Sequence, residues 1–287
     1  MSVVYVERLA HLSAVGLRLR DEATGRTVSE DVSVDVIPPS PGRTTSAVRT
    51  PSGMWVAPRV HGLRTWELRD VGPDGLPVDV TMDPIAARVE VRDRSGRFHD
   101  FGVDVDLPSE GLLANPCGSP PASPPDPEDR YLPLFSLPSR SVPPGFAAVR
   151  ARLLHEGDRA PAAYSALEVV PRPGAPAVRG IADERGEVLV LFTYPPPLGL
   201  VGSPPAGTKR PLAQAAWTLS LQVFAPGSMS ASASGTLPDL CTFLDQSPAT
   251  LVTTASPPAE ISEATIQYGH ELVLRSSPAD SALLVRP

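Results

Sequence analysis

The sequence predicts an all-β protein: two Greek-key β-sandwich domains, a proline-rich linker between them, and one short helix in the second. Three observations predict it. The 287 residues include 36 prolines and few aromatics; proline lacks an N–H and fixes φ, which breaks helices and confines it to turns, edges and linkers. Short runs alternate apolar and polar residues with the period of two that marks a half-buried strand. Midway along the chain, Asn115–Asp129 has almost nothing to bury, the composition of a stiff, extended spacer.

The first domain is expected over 1–113. Val3–Val6 opens it, and Val15, Leu17 and Leu19 then alternate with Gly16, Arg18 and Arg20. Asp21–Arg26 reads as a turn, with Gly25 able to take φ > 0. Val32, Val34 and Val36 give a second strand that stops at Pro38-Pro39, and Pro51-Ser-Gly53 reads as a hairpin turn between two further strands. Trp66 and Leu68, Ala87 to Val91 and Phe101 to Val105 supply three more alternating runs, the last two joined by the turn Asp93–Gly96. Such closely spaced short strands are the pattern of a sandwich.

After the linker at 114–129, the second domain is expected over 130–287. Its centre is Val149 to Phe192. Every residue of Val188–Phe192 is apolar, so that strand should be covered on both faces. An excursion at about 195–265 reads as an insertion, although Trp217, Leu219, Leu221 and Val223 alternate within it. Leu237–Gln246 is the helix candidate, with Thr236 as N-cap and Pro238 near the first turn. Ala264–Tyr268 and Glu271–Arg275 read as a closing hairpin, followed by an apolar tail, Ala282–Pro287.

The two halves echo each other. Val36-Ile-Pro38 aligns with Val169-Val-Pro171. At the same offset Val34 falls on Leu167, Asp35 on Glu168, Ser52-Gly53 on Arg185-Gly186 and Val56 on Leu189. The economical reading is a shared unit of strand, loop, strand, glycine turn and strand; the competing one is chance, since valine strands and glycine turns are common.

Val149-Arg-Ala-Arg-Leu153, then Ala166-Leu-Glu-Val169, then Gly180-Ile-Ala-Asp183-Glu-Arg-Gly186-Glu-Val-Leu-Val190 resembles the carboxypeptidase regulatory-like, or prealbumin-like, β-sandwich family. In that family an outer strand, a second strand and an Asp-x-x-Gly turn recur in this order. The resemblance implies an Ig-like or prealbumin-like Greek-key sandwich used for binding, scaffolding or assembly, with no chemistry of its own. Two enzymatic relatives fit poorly. Transthyretin-like hydroxyisourate hydrolases end in Tyr-Arg-Gly-Ser, whereas this sequence ends Leu-Leu-Val-Arg-Pro287; intradiol dioxygenases need paired Tyr and His ligands that are not found close together here.

Candidate chemistry is sparse. His11, His61, His99, His155 and His270 are dispersed, with neither the i, i+4 pairing nor the Cys-x-x-Cys that zinc requires. No Gly-x-Ser-x-Gly elbow, phosphate-binding loop or dinucleotide fingerprint occurs. The most tempting cluster is His99-Asp100 with Asp104 and Asp106, because alternation puts both later carboxylates on one strand face, where paired carboxylates can hold Ca²⁺. Phe101, Val103 and Val105 occupy the other face, so the simpler reading is a solvated face opposite a core face. Asp183-Glu184 beside Gly186 could likewise ligate a cation, but acidic residues are ordinary in such turns, and the turn is better read as the hairpin that fixes register. The expectation is therefore no catalytic, cofactor-binding or metal-binding residues, and no cofactor.

A net charge of −7 with interspersed signs offers no basic stripe for nucleic acid and no polybasic membrane patch. No apolar run approaches the roughly 20 residues of a membrane span. Met1–Leu9 has neither a basic leader nor a long apolar stretch, and Cys117 and Cys241 form no framework, which favours a reducing compartment. A long-range disulfide between them is the other possibility. The expected location is the cytoplasm, and the expected role is a non-enzymatic structural or assembly subunit with other protein subunits as partners. Cytoplasmic, cysteine-poor proteins with several sandwiches are similar overall to accessory proteins of phage-tail-like contractile injection particles. The alternatives are a small-ligand or carbohydrate-binding module, for which Trp55 and Trp66 must be exposed, and a hydrolase using His99 and Asp104.

Overall fold

The computed structural model describes residues 13, 15–39, 42–63, 83–109, 112–113, 117, 130–196, 212–226 and 237–287. The expected strands at Val3–Val6 and Trp66–Leu68 and nearly all of the linker at 114–129 lie outside them. The fold is all-β and sandwich-like, with one short helix. The chain divides into two compact units that interleave in sequence. The first takes Met1–Leu19, Thr27–Arg92 and Phe101–Leu132; the second takes Arg20–Arg26, Asp93–Asp100 and Pro133–Pro287. The turns Arg20–Arg26 and Asp93–Asp100, which the boundary at 113 would put in the first domain, thus belong with the second.

The N-terminal strands are β1 (Gly16–Leu17), β2 (Leu19–Asp21), β3 (Thr27–Val28), β4 (Val32–Ile37), β5 (Thr45–Ser46), β6 (Val48–Arg49), β7 (Trp55–Val56), β8 (Ile85–Asp93) and β9 (Phe101–Leu107). Two of the sheets they form have the orders β1-β7-β6 and β5-β4-β8-β9, while β2 and β3 pair in a third. Alternation sends Val32, Val34 and Val36 of β4, Ala87, Val89 and Val91 of β8, and Val103 and Val105 of β9 into the core. The β6–β7 hairpin closes as its sequence predicts: Thr50 N–H donates to the Met54 carbonyl at 2.8 Å and Gly53 takes φ +80°.

The later elements are β10 (Leu132–Leu134), β11 (Phe146–His155), β12 (Ala166–Val170), β13 (Val178–Ile181), β14 (Glu187–Thr193), β15 (Ala216–Pro226), α1 (Leu240–Leu244), β16 (Gln246–Thr253), β17 (Glu263–Gln267), β18 (Leu272–Val273) and β19 (Ala282–Arg286). In the second unit the strand path is β13-β12-β15-β16-β19-β11-β14, with β17 beside β15 and β18 beside β11. The stretch expected as an insertion therefore supplies interior strands, β15 and β16. The apolar tail is interior too: β19 lies between β16 and β11, parallel to β11. Strand β14 is buried on both faces as expected. Val188, Val190 and Phe192 join the main core, while Leu189 and Leu191 pack with Ala148 under Ala23, Val142 and Phe146.

The repeat is visible in strand pairing. Strand β4 meets β5 with Asp35 opposite Ser46 and Val36 opposite Thr45; β12 meets β13 with Glu168 opposite Arg179 and Val169 opposite Val178. These are the same positions at the offset of the sequence alignment. The polar members pair across the strands in both copies, Ser46 Oγ to Asp35 Oδ1 at 2.6 Å and Arg179 Nε to Glu168 Oε1 at 2.8 Å. Order agrees as well: β5-β4-β8-β9 corresponds to β13-β12-β15-β16. Strand β1 runs antiparallel to β7 as β11 does to β14, slipped by one residue. A parallel bridge flanks each, Gly16 to Leu112 and Val149 to Leu272. Valine-rich strands recur by chance; a pairing register kept with the sequence offset is far harder to obtain that way.

The copies differ at the glycine turn. Gly53 closes a true hairpin, since β6 pairs with β7. Gly186, at φ +76°, does not: β13 pairs with β12, whereas β14 pairs with β11. The turn expected to set a hairpin register instead carries the chain from one end of the strand path to the other. The Gly269 turn behaves alike, joining β17, which pairs with β15, to β18, which pairs with β11. Helix α1 is shorter than predicted. Asp239 is its N-cap, its carboxylate accepting from Cys241 N–H at 2.7 Å, so the helix starts after Pro238 instead of around it.

Candidate functional site

The residues that the sequence offers for chemistry are used by the fold. His99 comes from the turn Asp93–Asp100, is 5 % exposed, and places Nε2 3.0 Å from the Ile181 carbonyl. The carbonyl can only accept, so Nε2 carries the proton. The ring meets Phe243 of α1 edge-on, with centroids 5.8 Å apart. Burial pushes the imidazole pKa down to about 4, against the opposing pull of the Ile181 bond and Asp183. A neutral, enclosed imidazole of this kind fixes packing and is out of reach of substrate.

Its neighbours are equally committed. Asp100 accepts from Asp93 N–H at 2.7 Å. Asp93 in turn accepts from Ser95, Arg97 and Phe98. Burial works to raise its pKa, but the bonds from Ser95, Phe98 and Arg97 outweigh it and hold the carboxyl below its usual range. Asp104 and Asp106 are exposed on β9, and Asp104 pairs with Arg88 at 3.0 Å. His99 belongs to the second unit and Asp104 to the first.

Asp183 makes the Gly186 turn. Its Oδ1 accepts from Arg185 N–H at 2.8 Å and Glu187 N–H at 2.9 Å. Glu184 accepts from the Tyr164 hydroxyl at 3.2 Å. Burial first, then the Glu184 charge, pushes that phenol up to about 12. Among the described residues no group of three or more His, Cys, Asp or Glu is placed to hold a metal ion, and no helix is long and apolar enough to cross a membrane.

Trp55 and Trp217 are each 8 % exposed, so Trp55 is not the open platform that carbohydrate stacking needs; Trp66 lies outside the described residues. Both cysteines are disulfide-bonded and neither is a free thiol. The reduced state expected from their spacing is therefore not the one the structure holds.

Two features had no sequence signal. One is a buried ion pair within the second unit. Arg140 donates to both Asp21 oxygens, at 3.0 and 2.7 Å, and to Ser136 Oγ at 2.8 Å, while its guanidinium lies 4.8 Å from the Phe98 ring centroid. Burial would raise the Asp21 pKa, but Arg140 and Thr24 bring it below the usual value. The two residues are far apart in sequence and each sits in an ordinary-looking turn.

The other is a half-open pocket of about 230 Å³ whose lining includes Pro171, Arg172, Pro176, Val178, Phe192, Thr193 and Tyr194. Gly180 of β13 lies against the Leu189 carbonyl of β14 with no room for a Cβ. Val178 of β13 and Phe192 of β14 both line the pocket. The loop prolines that build it read in the sequence only as turn punctuation.

No family model and no curated protein matches the chain. Three solved structures show weak likeness. A 9R-lipoxygenase from Cyanothece PCC8801 aligns at 16% identity over 47% of this chain and 16% of its own, TM-score 0.19. The Bacillus anthracis TIE protein aligns at 8% identity over 89% of this chain and 42% of its own, TM-score 0.22. The C-terminal fragment of the pilus adhesin SpaC from Lactobacillus rhamnosus GG aligns at 10% identity over 94% and 95%, TM-score 0.21. The chain spans less than half the length of the first two, and at these scores none of the three carries an argument about fold or function.

Proposed function

We propose that this chain is a non-enzymatic structural subunit of a larger protein assembly, built from two copies of one sandwich unit. The observation that carries the reading is the use of its reactive side chains. His99, Asp93, Asp183 and Glu184 all bond to the protein's own backbone or side chains, which suits a scaffold. An assembly role uses the outward strand faces, such as Thr218, Ser220 and Gln222 of β15, which alternate with its buried residues. The bonded cysteines favour an oxidising compartment over the cytoplasm expected from the sequence. The assembly that the sequence resembles overall, a contractile phage-tail-like injection particle, is the first to test. Native purification followed by mass measurement and particle imaging decides: the chain should travel in a high-mass particle with other proteins. A monodisperse monomer from native cells would overturn the proposal.

A further inference from the structure

We propose that residues 133–287 carry a docking surface for two turns of the N-terminal part, Arg20–Arg26 and Asp93–Asp100. The partner that this surface fits is the segment 1–113, which stays bound when the covalent linker at 114–129 is cut. The proposal holds whether or not the chain works within an assembly.

The second unit has a complete interior without these turns. Every strand of its path, β13-β12-β15-β16-β19-β11-β14, starts at Phe146 or later. Its main core takes buried residues only from Ala147 to Val285. The two turns come from elsewhere: the chain on either side of them, Met1–Leu19, Thr27–Arg92 and Phe101–Leu132, belongs to the first unit. A unit with its own core can stand by itself, so the turns are additions to its rim.

Each turn is held in shape by its own bonds. Asp21 N–H donates to the Arg26 carbonyl at 2.9 Å and Gly25 N–H to the Asp21 carbonyl at 2.8 Å. Ala23 N–H and the Thr24 hydroxyl donate to the Asp21 carboxylate. Asp93 closes the other turn by accepting from Ser95, Arg97 and Phe98. Segments ordered before contact lose little entropy on binding.

Both turns converge on Arg140. Its guanidinium takes both Asp21 oxygens from the first turn and lies over the Phe98 ring of the second. Backbone bonds flank this centre. Glu22 N–H donates to the Leu134 carbonyl at 3.2 Å, His99 N–H to Phe135 at 3.0 Å, and Leu137 N–H to Arg97 at 2.8 Å. Ala23 packs on the cluster of Ala148, Leu189 and Leu191, and His99 meets Phe243. A desolvated arginine beside a buried ring, ringed by satisfied polar groups, is the composition of a binding hot spot. A buried charge of one sign also rejects any segment that lacks its complement.

The test uses the full chain with Cys117→Ser and Cys241→Ser, so that no disulfide ties the pieces, and a glycine-flanked protease site between Ala122 and Ser123. The folded protein is cut to completion, and its mass is followed by light scattering through a dilution series. The pieces should run as one species with the mass of the uncut chain and part only in denaturant. Arg140→Ala on one piece and His99→Ala on the other should each weaken the cut pair about tenfold or more. Asp104→Asn, exposed on β9, should leave it unchanged. If Arg140→Ala misfolds, the His99→Ala comparison decides alone. Pieces that separate on cutting, or a cut pair that holds as tightly in the variants as in the parent, would overturn the proposal.

Discussion

Gly180 of β13 lies so close to the Leu189 carbonyl oxygen of β14 that no side-chain carbon fits between them. Its backbone is not in the left-handed region, so sterics alone require glycine here. Gly180→Ala should cost about 2–3 kcal/mol by pushing apart two packed backbones. Gly96 is the useful contrast. It has φ +68° and open space around its Cβ position, so alanine there costs only the left-handed penalty of about 1–2 kcal/mol. Urea unfolding of both variants checks this; Gly180→Ala losing no more than Gly96→Ala would contradict the seam.

Much of the fold was legible because it rests on local pattern. Alternation placed β4, β8, β9 and β15, and unbroken apolarity marked β14 as doubly covered. What stayed hidden was who pairs with whom. The turns at Gly186 and Gly269 look like hairpins in sequence, yet each passes the chain between distant strands. A turn motif fixes backbone angles, not the partner of the strand that follows. The interior place of β19 and the interleaving of Arg20–Arg26 and Asp93–Asp100 escape for the same reason. The cavity escaped because its walls are loop prolines brought together only by pairing. By contrast His99, Asp104 and Asp183 were visible as residues, and burial and bonding then decided their roles.

The Asp21–Arg140 pair makes a strong demand on the second unit. Both side chains are nearly inaccessible, at 5% and 7%. Arg140→Ala leaves a buried carboxylate without its counter-ion and should destabilise by about 3–5 kcal/mol. Removing both charges, as Asp21→Asn with Arg140→Met, should cost less than Arg140→Ala alone, because no lone charge remains. The Asp21 pKa is lowered in the folded protein, so its contribution is present above the ordinary carboxylate pKa of about 3.9. It is lost as pH falls through the folded value. Denaturant unfolding between neutral and acid pH should show this loss, and Arg140→Ala should flatten it.

The cysteines give a chemical readout. Both are bonded, so thiol titration of the denatured, unreduced protein should find no free thiol, and reduction should release those of Cys117 and Cys241. Cys241→Ser removes its disulfide and should lower stability by about 2–4 kcal/mol. The loss should vanish when variant and parent are compared under reductant. Free thiols in protein recovered from its native source would instead restore the reducing compartment.

His99 should write its own signature on the pH dependence of stability. Its folded pKa of about 4 lies below the unfolded value of about 6.5. Between the two the unfolded chain binds the extra proton, so stability rises with pH across that window. Acidification from about 6.5 to about 4 should therefore remove roughly 3 kcal/mol on this account, and further acidification should add nothing more from His99. The loss precedes that of Asp21, whose carboxylate titrates at lower pH. His99→Gln keeps a donor for the Ile181 carbonyl but cannot titrate. It should cost some packing against Phe243 while erasing the slope between pH 4 and 6.5. Guanidinium unfolding midpoints across that range decide: if the slope survives in His99→Gln, the buried imidazole is not its source.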